Sequence, residues 1–590
     1  MCGIFGYVGK QTDVATLVLD GLKTLEYRGY DSWGVAIAQS GQESLHVEKY
    51  TGKIGDATIA TRRSTVGIGH TRWATHGGVT LENAHPHVYQ SIAVVHNGII
   101  ENYQSLRQRL VKEGHVFCTE TDTEVLPHLI THYMQQGQNL QTAAAHCFAD
   151  IKGLNAFVAI QSDTSEMVAV KNGSPLVLGQ SKSGHYIASD VSAIIEHTKE
   201  IYFVADEEMV VVNKQQAMLF DTQTGEEKKL VWQHVDWTYE TAQKGDFPHF
   251  LIKEIHDQPE ILRRIAHTYG AKVEDFATHV RSARGVFFVG CGTASYAALT
   301  GTYLFSQVAH IHVNFAIGSE FRYWQDYVNK DTLVVPISQS GETIDVVSPV
   351  AQARARGARI AAITNVIGST IYRQADTALL LGAGQERAVI STKAYLAMIA
   401  VLMYVAHALV GKSVVASQAL HKAAAAIDTM LSPSYISSHI LPLAKHLAKA
   451  KHLYILGRGL SYPAALEFAL KMKETTYLHA EGFAGGELKH GVIALIEKGT
   501  PVVVLAPLDE TYEEIISNAQ EVSARGGYII GISPKNSDVF DRYIPVEDVG
   551  VATMMLEVVV SQLVAYYVAI EKGFEDPDKP RTLAKSVTVK

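Results

Sequence analysis

A chain of 590 residues, 47% of them hydrophobic and 19% charged, is too long for one core and too apolar for disorder. Its net charge of −9 is spread without long acidic or basic runs, which argues against a nucleic-acid surface but not against small anions held in local loops. The four cysteines, Cys2, Cys118, Cys147 and Cys291, stand far apart, form no Cys-x-x-Cys pair and give no zinc or disulfide framework. No signal-peptide pattern precedes Cys2, so a cytoplasmic chain is expected. Residues 395–410 and 551–570 are the two stretches apolar enough to be weighed as membrane spans. The first is short for a span and contains His407, and the second is interrupted by Glu557, Ser561 and Gln562. Both read as interior or interface helices, and no membrane partner is expected.

From the N-terminus, Met1-Cys2-Gly3-Ile4-Phe5-Gly6 puts a thiol on the second residue. With Met1 removed, that thiol and a free α-amine share one residue. Their unperturbed pKa values, roughly 8.5 and 7.7–8.0, let the neutral amine take the thiol proton near neutral pH. Cys2 would then be a nucleophile carrying its own base. Cys-Gly alone is weak evidence, so the rest of the chain has to decide.

Residues 1–225 are rich in short β-like runs punctuated by glycine, such as Gly34-Val-Ala-Ile-Ala38, Val66-Gly-Ile-Gly69 and Ser91-Ile-Ala-Val-Val95. Between them lie polar loops that no core requires: Thr71-Arg-Trp-Ala-Thr-His-Gly77, Asn83-Ala-His-Pro-His87, His96-Asn-Gly98 and Thr121-Asp-Thr-Glu124. Each has a plain reading. Asn97-Gly98 is a hairpin turn, Asp122 a helix N-cap, Arg72 a surface charge, and His85 with His87 a chance pair without further zinc ligands. Together with Cys2 they also fit one reaction. Acyl transfer to a thiol needs donors aimed at the developing oxyanion, which the Asn97 amide and the Gly98 N–H can supply. An amino-acid substrate needs a fork for its carboxylate and an acid for its ammonium, roles that suit Arg72 and Asp122. That is a glutamine amidase.

Residues 226–248 carry a charged cluster and no clear apolar period, and read as a linker. His249-Phe-Leu-Ile-Lys-Glu-Ile-His-Asp-Gln-Pro259 then opens a helical stretch. From about Gly285 strands and helices alternate, the pattern of an open parallel sheet. Gly285-Val-Phe-Phe-Val-Gly-Cys-Gly292 with the helical run after it is repeated by Leu453-Tyr-Ile-Leu-Gly-Arg-Gly459, and Thr332-Leu-Val-Val-Pro-Ile-Ser338 by Pro501-Val-Val-Val-Leu-Ala506. Two α/β lobes are expected, over 249–430 and 431–579, with a tail at 580–590. After its second strand the first lobe has Ser338-Gln-Ser-Gly-Glu-Thr343, whose hydroxyls and backbone N–H groups at a helix start suit a phosphate. A plain helix cap is the competing reading. The second lobe has Pro507-Leu-Asp-Glu-Thr511 there, whose carboxylates repel phosphate.

These motifs carry a resemblance. Cys2-Gly-Ile-Phe-Gly6, Glu26-Tyr-Arg-Gly-Tyr-Asp-Ser32, Thr71-Arg-Trp-Ala-Thr-His-Gly77, His96-Asn-Gly-Ile-Ile-Glu-Asn102 and Thr121-Asp-Thr-Glu124 resemble the N-terminal-nucleophile glutaminase domain of the amidotransferases. The second half resembles tandem sugar-isomerase domains. Val389-Ile-Ser-Thr-Lys-Ala394, Leu470-Lys-Met-Lys-Glu474, Gly485-Gly-Glu-Leu-Lys-His-Gly491 and Pro580-Arg-Thr-Leu-Ala-Lys-Ser-Val-Thr-Val589 extend the likeness to the glucosamine-6-phosphate synthase family over essentially the whole chain.

The resemblance implies an αββα glutaminase sandwich followed by two α/β isomerase lobes with parallel sheets. It implies glutamine hydrolysis, ammonia transfer, and amination with isomerisation of fructose 6-phosphate, without metal or cofactor, in a homodimer or higher homo-oligomer. Cys2, Asn97 and Gly98 would act on glutamine, with Arg72, Trp73, Thr75, His76, His85 and Asp122 around it and the Trp73 loop closing over it. Thr293, Ser338, Gln339, Ser340, Thr343, Val389, Ser391 and Lys471 would bind the sugar phosphate. Glu474 would move hydrogen between C1 and C2, His490 from a neighbouring subunit would open the ring, and Lys585 would form an imine with the ketose. Without the resemblance, Lys471 and Glu474 read as a solvated pair on one helix face and Lys585 as a disordered tail residue.

The chain departs from the family pattern at Ala294, where Ser is usual, at Val492, where Pro is usual, and at Trp33, where a small residue is usual. These bear on affinity rather than on the reaction. Two other readings remain. A glutaminase coupled to phosphoribosyl diphosphate needs a paired-acid motif after an apolar strand, which is absent from the sequence. A non-catalytic sugar-phosphate sensor would have lost residues such as Cys2, Glu474, His490 and Lys585, which all stand.

Overall fold

The computed structural model describes residues 2–39, 44–60, 63–235, 244–583, 585 and 587. Met1, residues 236–243 of the expected linker, and Ala584, Ser586 and residues 588–590 of the tail lie outside the described residues. The chain forms two compact units, Met1–Glu240 with Ala584–Lys590, and Thr241–Leu583.

The first unit is built from two antiparallel sheets. The eight-stranded one runs Gln233–His234, Glu200–Phe203, Val177–Gln180, Gly184–Ala188, Gly3–Gly9, Ser64–Arg72, Ser32–Gln39, Leu45–Thr51. The seven-stranded one runs Glu227–Lys228, Ala217–Asp221, Glu208–Val212, Met167–Asn172, Asn155–Gln161, Ile92–Gly98, His87–Tyr89. Alternation along the strands builds the layers. Ile4, Val8 and Ile68 of one sheet meet Ala93, Val95 and Val158 of the other in a core between the sheets. Phe5, Tyr7 and Val35 point outward onto Val14, Val18 and Leu22 of helix Val14–Leu25. Ile92, Val94 and Phe157 point outward onto Leu106, Leu126 and Ala143, from helices Tyr103–Lys112, Val125–Gln135 and Leu140–Asp150. The result is the expected helix–sheet–sheet–helix sandwich. The expected linker needs correcting, because Glu227–Lys228 and Gln233–His234 add edge strands to the two sheets. Those two-residue strands are exposed on both positions, so no apolar period marks them.

The second unit carries two five-stranded parallel sheets. The first is ordered Asn314–Ile317, Gly285–Gly290, Thr332–Ser338, Arg359–Thr364, Thr377–Leu380, and the second His479–Ala484, His452–Gly457, Pro501–Leu505, Tyr528–Ser533, Arg542–Pro545. In each, the first strand in sequence lies between the second and third, an order whose switch point falls between the first and third strands. One helical core serves both sheets: Leu402 and Leu563 pack with Phe288 and Val335 of one sheet and Ile455 and Val503 of the other. Separate clusters cover the opposite faces, around Val334 and Val350 and around Val502 and Ile515.

The two apolar stretches form helices Lys393–Leu409 and Thr553–Glu571 in that shared core. In the longer of them, taken with the turn before it as Gly550–Glu571, 89% of the most hydrophobic window is buried inside the protein. They are interior helices, which corrects their reading as candidate subunit interfaces. Glu557, 1% exposed on the second of them, has its carboxyl pushed by burial from 4.5 to about 8. Between those values the folded chain retains a proton that the unfolded chain has released, so this group makes stability fall as pH rises through that window. Glu557→Gln is therefore expected to change the urea midpoint of the second unit little at pH 5 and to raise it over the parent at pH 9.

Candidate active sites

Cys2 is positioned by the strand that follows it. Gly3–Gly9 is paired on both sides, with Gly3 opposite Thr71 and Phe5 opposite Ala188. Gly3 N donates to Thr71 Oγ1 at 3.1 Å and Ile4 N to Ser189 Oγ at 2.7 Å. The Cys2 carbonyl accepts from Arg28 Nε at 3.2 Å and Asn97 Nδ2 at 3.1 Å. The half-buried thiol accepts from Trp73 N at 3.3 Å and donates to the Trp73 carbonyl at 3.7 Å.

Asn97 and Gly98 end a strand rather than forming a hairpin turn, with Asn97 opposite Ala156 and Gly98 opposite Asn155. Gly98 has φ +147°, and a Cβ there would lie 2.4 Å from the Leu154 carbonyl oxygen, so only glycine fits. The Asn97 amide nitrogen donates to Cys2 O and, at 2.9 Å, to Ser189 Oγ, while its oxygen pairs with His70 Nε2 at 3.1 Å. In this state Asn97 secures the Cys2 main chain.

Arg72 is neither a surface charge nor an unoccupied fork. It is 3% exposed, and its guanidinium donates to the carbonyls of His76, Gly77 (3.1 Å) and Gly78 (3.0 Å), tying down the loop after Trp73. Ala74 N in that loop donates to Asp31 Oδ2 at 2.8 Å, while Trp73 and His76 are half-buried and Thr75 is exposed. Asp122 is not an N-cap, because its Oδ2 accepts from Ile100 N at 2.8 Å and helix Val125–Gln135 begins at Glu124 without a side-chain cap.

His85 is part of a buried cluster of histidines beside this site. It is 4% exposed and stacked on His70 with ring centres 4.0 Å apart, and His87 meets its edge at 4.7 Å. It therefore supports the site from behind. Burial lowers the pKa of His70 to about 3 and pulls those of His85, His87 and His96 down as well, so the cluster is neutral. Sequence reasoning missed Arg28, Ser189, Asp190 and Asp31. Arg28 pairs with Asp190 at 3.3 Å, and the only signal for it was its place inside the Glu26–Ser32 motif.

In the second unit, the switch point of the first sheet lies between Gly290, which leads to Thr293, and Ser338, which leads to the serine-rich loop. Ser338 Oγ accepts from Gly341 N at 3.0 Å and Ser340 Oγ from Glu342 N at 3.2 Å, which sets both side chains. Thr343 is the N-cap residue of helix Ile344–Ala355. Glu342, the acid inside the loop, is held by Thr370 N and Thr370 Oγ1, both at 2.8 Å, so its charge is directed to a neighbouring helix start. Gln339 lies in the same loop, half-buried, and its carbonyl accepts from Asn365 N at 3.2 Å.

Lys471 and Glu474 are not a solvated pair. Lys471 is 1% exposed, and its ammonium lies 2.7 Å from Glu474, 3.3 Å from Glu467, 3.0 Å from Thr293 Oγ1 and 3.2 Å from the Ser391 carbonyl. The structure thus gathers Thr293, Ser391, Lys471 and Glu474, and adds Glu467, which the sequence reading missed. Glu467 sits four residues before Lys471 on helix Ser461–Thr476, a spacing that could have disclosed it. Burial pushes its carboxyl up to about 8, with Lys471 pulling down and Glu474 pushing up. Ser391 Oγ donates to Glu386, whose other oxygen accepts from Thr392 N and Ala394 N. Val389 is buried, its N–H donating to the Asp578 carbonyl at 2.8 Å. His490 is exposed at the end of the short helix Gly485–His490, and Lys585 is half-buried.

Comparison with known proteins matches this division. A SIS domain model matches residues 279–408 and 446–572, and a glutamine amidotransferase domain model residues 71–196. The glutamine–fructose-6-phosphate aminotransferase (isomerizing) of Clostridium tetani is 41% identical over 100% of both chains. The chain belongs to that family. Its namesake from Methanothermobacter thermautotrophicus is 39% identical, again over 100% of both. Among solved structures, the C-terminal domain of glucosamine-fructose-6-phosphate aminotransferase from Francisella tularensis is 30% identical with a TM-score of 0.52, covering 56% of this chain and 99% of its own.

Within this family's glutaminase half, Ser189 is a positioning residue, joining the Ile4 N–H to the Asn97 amide. Ser189→Ala leaves a buried N–H without an acceptor and is expected to cost about 1–3 kcal/mol of stability. Glutamine hydrolysis should fall mainly in kcat, as read by a glutamate-release assay alongside urea unfolding.

Proposed function

We propose that this chain converts D-fructose 6-phosphate and L-glutamine to D-glucosamine 6-phosphate and L-glutamate, with the residues below in the stated roles. The observation that carries the sugar half is the buried Lys471 ammonium shared by Glu467 and Glu474 beside Thr293, at a sheet switch point with a serine-rich anion loop. The Cys2 thiol under Trp73 N carries the glutamine half.

With Met1 removed, the Cys2 α-amine accepts the thiol proton and the sulfur attacks the carboxamide carbon of glutamine. The Gly98 N–H and the Asn97 amide face the oxyanion, the latter by releasing one of its two present acceptors. Collapse of the tetrahedral species breaks the C–N bond, the amine returns its proton to the departing ammonia, and water hydrolyses the thioester to glutamate. Asp122 holds the substrate ammonium and Arg72, with its loop residues Trp73, Thr75 and His76, the carboxylate end. Excluding water around the Trp73 loop keeps ammonia unprotonated and nucleophilic.

The phosphate sits on Ser338, Gln339, Ser340 and Thr343, with Thr293, Val389 and Ser391 along the sugar. His490 opens the ring, supplied between subunits of a homodimer or higher homo-oligomer, and Lys585 forms the imine that ammonia displaces. Glu474 removes a proton from C1 of the C2 imine and delivers it to C2, giving the amino aldose. Lys471 holds that carboxylate in place from 2.7 Å. The setting is cytoplasmic, with small-molecule substrates alone.

Incubation of N-terminally processed protein with glutamine and fructose 6-phosphate is expected to yield glucosamine 6-phosphate, and no product would sink the proposal. Cys2→Ala should abolish glutamine use while sparing ammonia-dependent synthesis. Glu474→Gln should do the converse, lowering synthesis at least ~100-fold while glutamine hydrolysis persists.

A further inference from the structure

One cluster in the first unit has no part in this chemistry. Glu124, His128, His132 and Gln136 recur at intervals of four along helix Val125–Gln135 and its ends, and so share one face. The turn after helix Tyr103–Lys112 brings Glu113 and His115 against that face. One donor atom from each of Glu113, His115 and His132 lies within 4.8 Å of the other two. A tetrahedral zinc site with bonds of ~2.0–2.1 Å spaces its donors about 3.4 Å apart. Glu113 is exposed and His132 half-buried, so small side-chain rotations close that difference.

We propose that Glu113, His115 and His132 form a binding site for one divalent transition-metal ion of the zinc class, with solvent completing the coordination. Hydrogen bonding behind His115 prepares it for the task. The Glu124 carboxylate accepts from Cys118 N (2.7 Å), Thr119 N (2.8 Å) and Thr119 Oγ1 (2.8 Å). Burial pushes its pKa up, but these bonds and His128 outweigh burial and bring it to about 2. An ionised Glu124 oxygen 3.8 Å from His128 Nε2 favours the hydrogen on that nitrogen and leaves His128 Nδ1 an acceptor. His115 Nδ1 lies 3.0 Å from that acceptor and so carries the hydrogen between them. A neutral imidazole has a single N–H, which leaves the lone pair of His115 on Nε2.

This chain of carboxylate, histidine and ligand histidine is how metal sites fix a ligand's tautomer. His132 Nδ1 faces Glu113 Oε2 at 3.4 Å, and Gln136 Nε2 lies 2.8 Å from His132 Nε2. An ion taken at Nδ1 shifts that ring's hydrogen to Nε2, where the Gln136 amide turns its oxygen to accept it. Two imidazoles and one carboxylate suit zinc, nickel or copper over calcium or magnesium.

The test is calorimetric titration of the full chain with zinc chloride in a background carrying Cys2→Ala, Cys118→Ala and Cys291→Ala, which removes every free thiol that is not buried. One equivalent is expected to be lost, or weakened at least ~10-fold, in each of His132→Ala and Glu113→Gln. Both are surface-reaching positions, and a matching urea midpoint shows that the fold is kept. Cobalt substituted at the same stoichiometry should give the visible bands of a four-coordinate nitrogen–oxygen site. Absence of binding, or an unchanged stoichiometry and affinity in both variants, would overturn the proposal.

Discussion

The two-sided pairing of strand Gly3–Gly9 is the constraint on which the first unit depends. A residue near a chain end ordinarily frays, and a side chain that frays has no fixed geometry. Here the second residue inherits its position from a strand in the interior of an eight-stranded sheet. Thr71, Ser189, Arg28 and Asn97 then hold the main chain of residues 2–4 one polar group at a time. The neutral histidines behind them fill space without adding charge, and the Cys2 sulfur faces the Trp73 N–H.

The second unit sorts two acids by burial. Glu467 and Glu474 both approach the Lys471 ammonium, yet Glu467 is 0% exposed and Glu474 has a side chain 22% exposed. One ammonium neutralises one carboxylate, and a second buried charge is costly. Burial resolves the excess by holding a proton on Glu467 up to about pH 8. The more accessible Glu474 makes the shorter contact with the Lys471 ammonium, 2.7 Å against 3.3 Å for Glu467.

Much of this organisation was readable from residues alone, because it rests on strong local signals. The apolar strands, the glycine loops after them and the internal repeat announced the α/β lobes, and the αββα layering followed from resemblance. Other features depend on tertiary neighbours. Asn-Gly has the composition of a hairpin turn, and only the pairing of Asn97 with Ala156 makes it the end of a strand. Ser189 lies far along the chain, at the end of the strand paired to Gly3–Gly9, so no spacing rule connects it to Ile4. His85 carries a polar side chain in a polar loop, and its burial under His70 is visible only after two strands have packed. The edge strands at Glu227–Lys228 and Gln233–His234 are too short and too exposed to leave a pattern.

The duplication in the second unit shows how equal folds acquire unequal roles. Both sheets have the same strand order, so both offer a crevice at the same switch point. In the first lobe the loop hydroxyls accept from their own backbone and the one loop acid is turned away onto Thr370. In the second lobe Asp509 holds Thr511 N at 2.8 Å, and the nearby cation Arg458 is bound by Glu514 and Asn518. An anion arriving there meets carboxylates and a guanidinium already neutralised. What the second lobe supplies instead is the helix after its first strand, Ser461–Thr476, which delivers Glu467, Lys471 and Glu474 to Thr293 of the first lobe. The serine-rich loop and the buried group of Glu467, Lys471 and Glu474 thus come from different copies of one topology. Each crevice could specialise because the shared helical core, rather than either loop, maintains the fold.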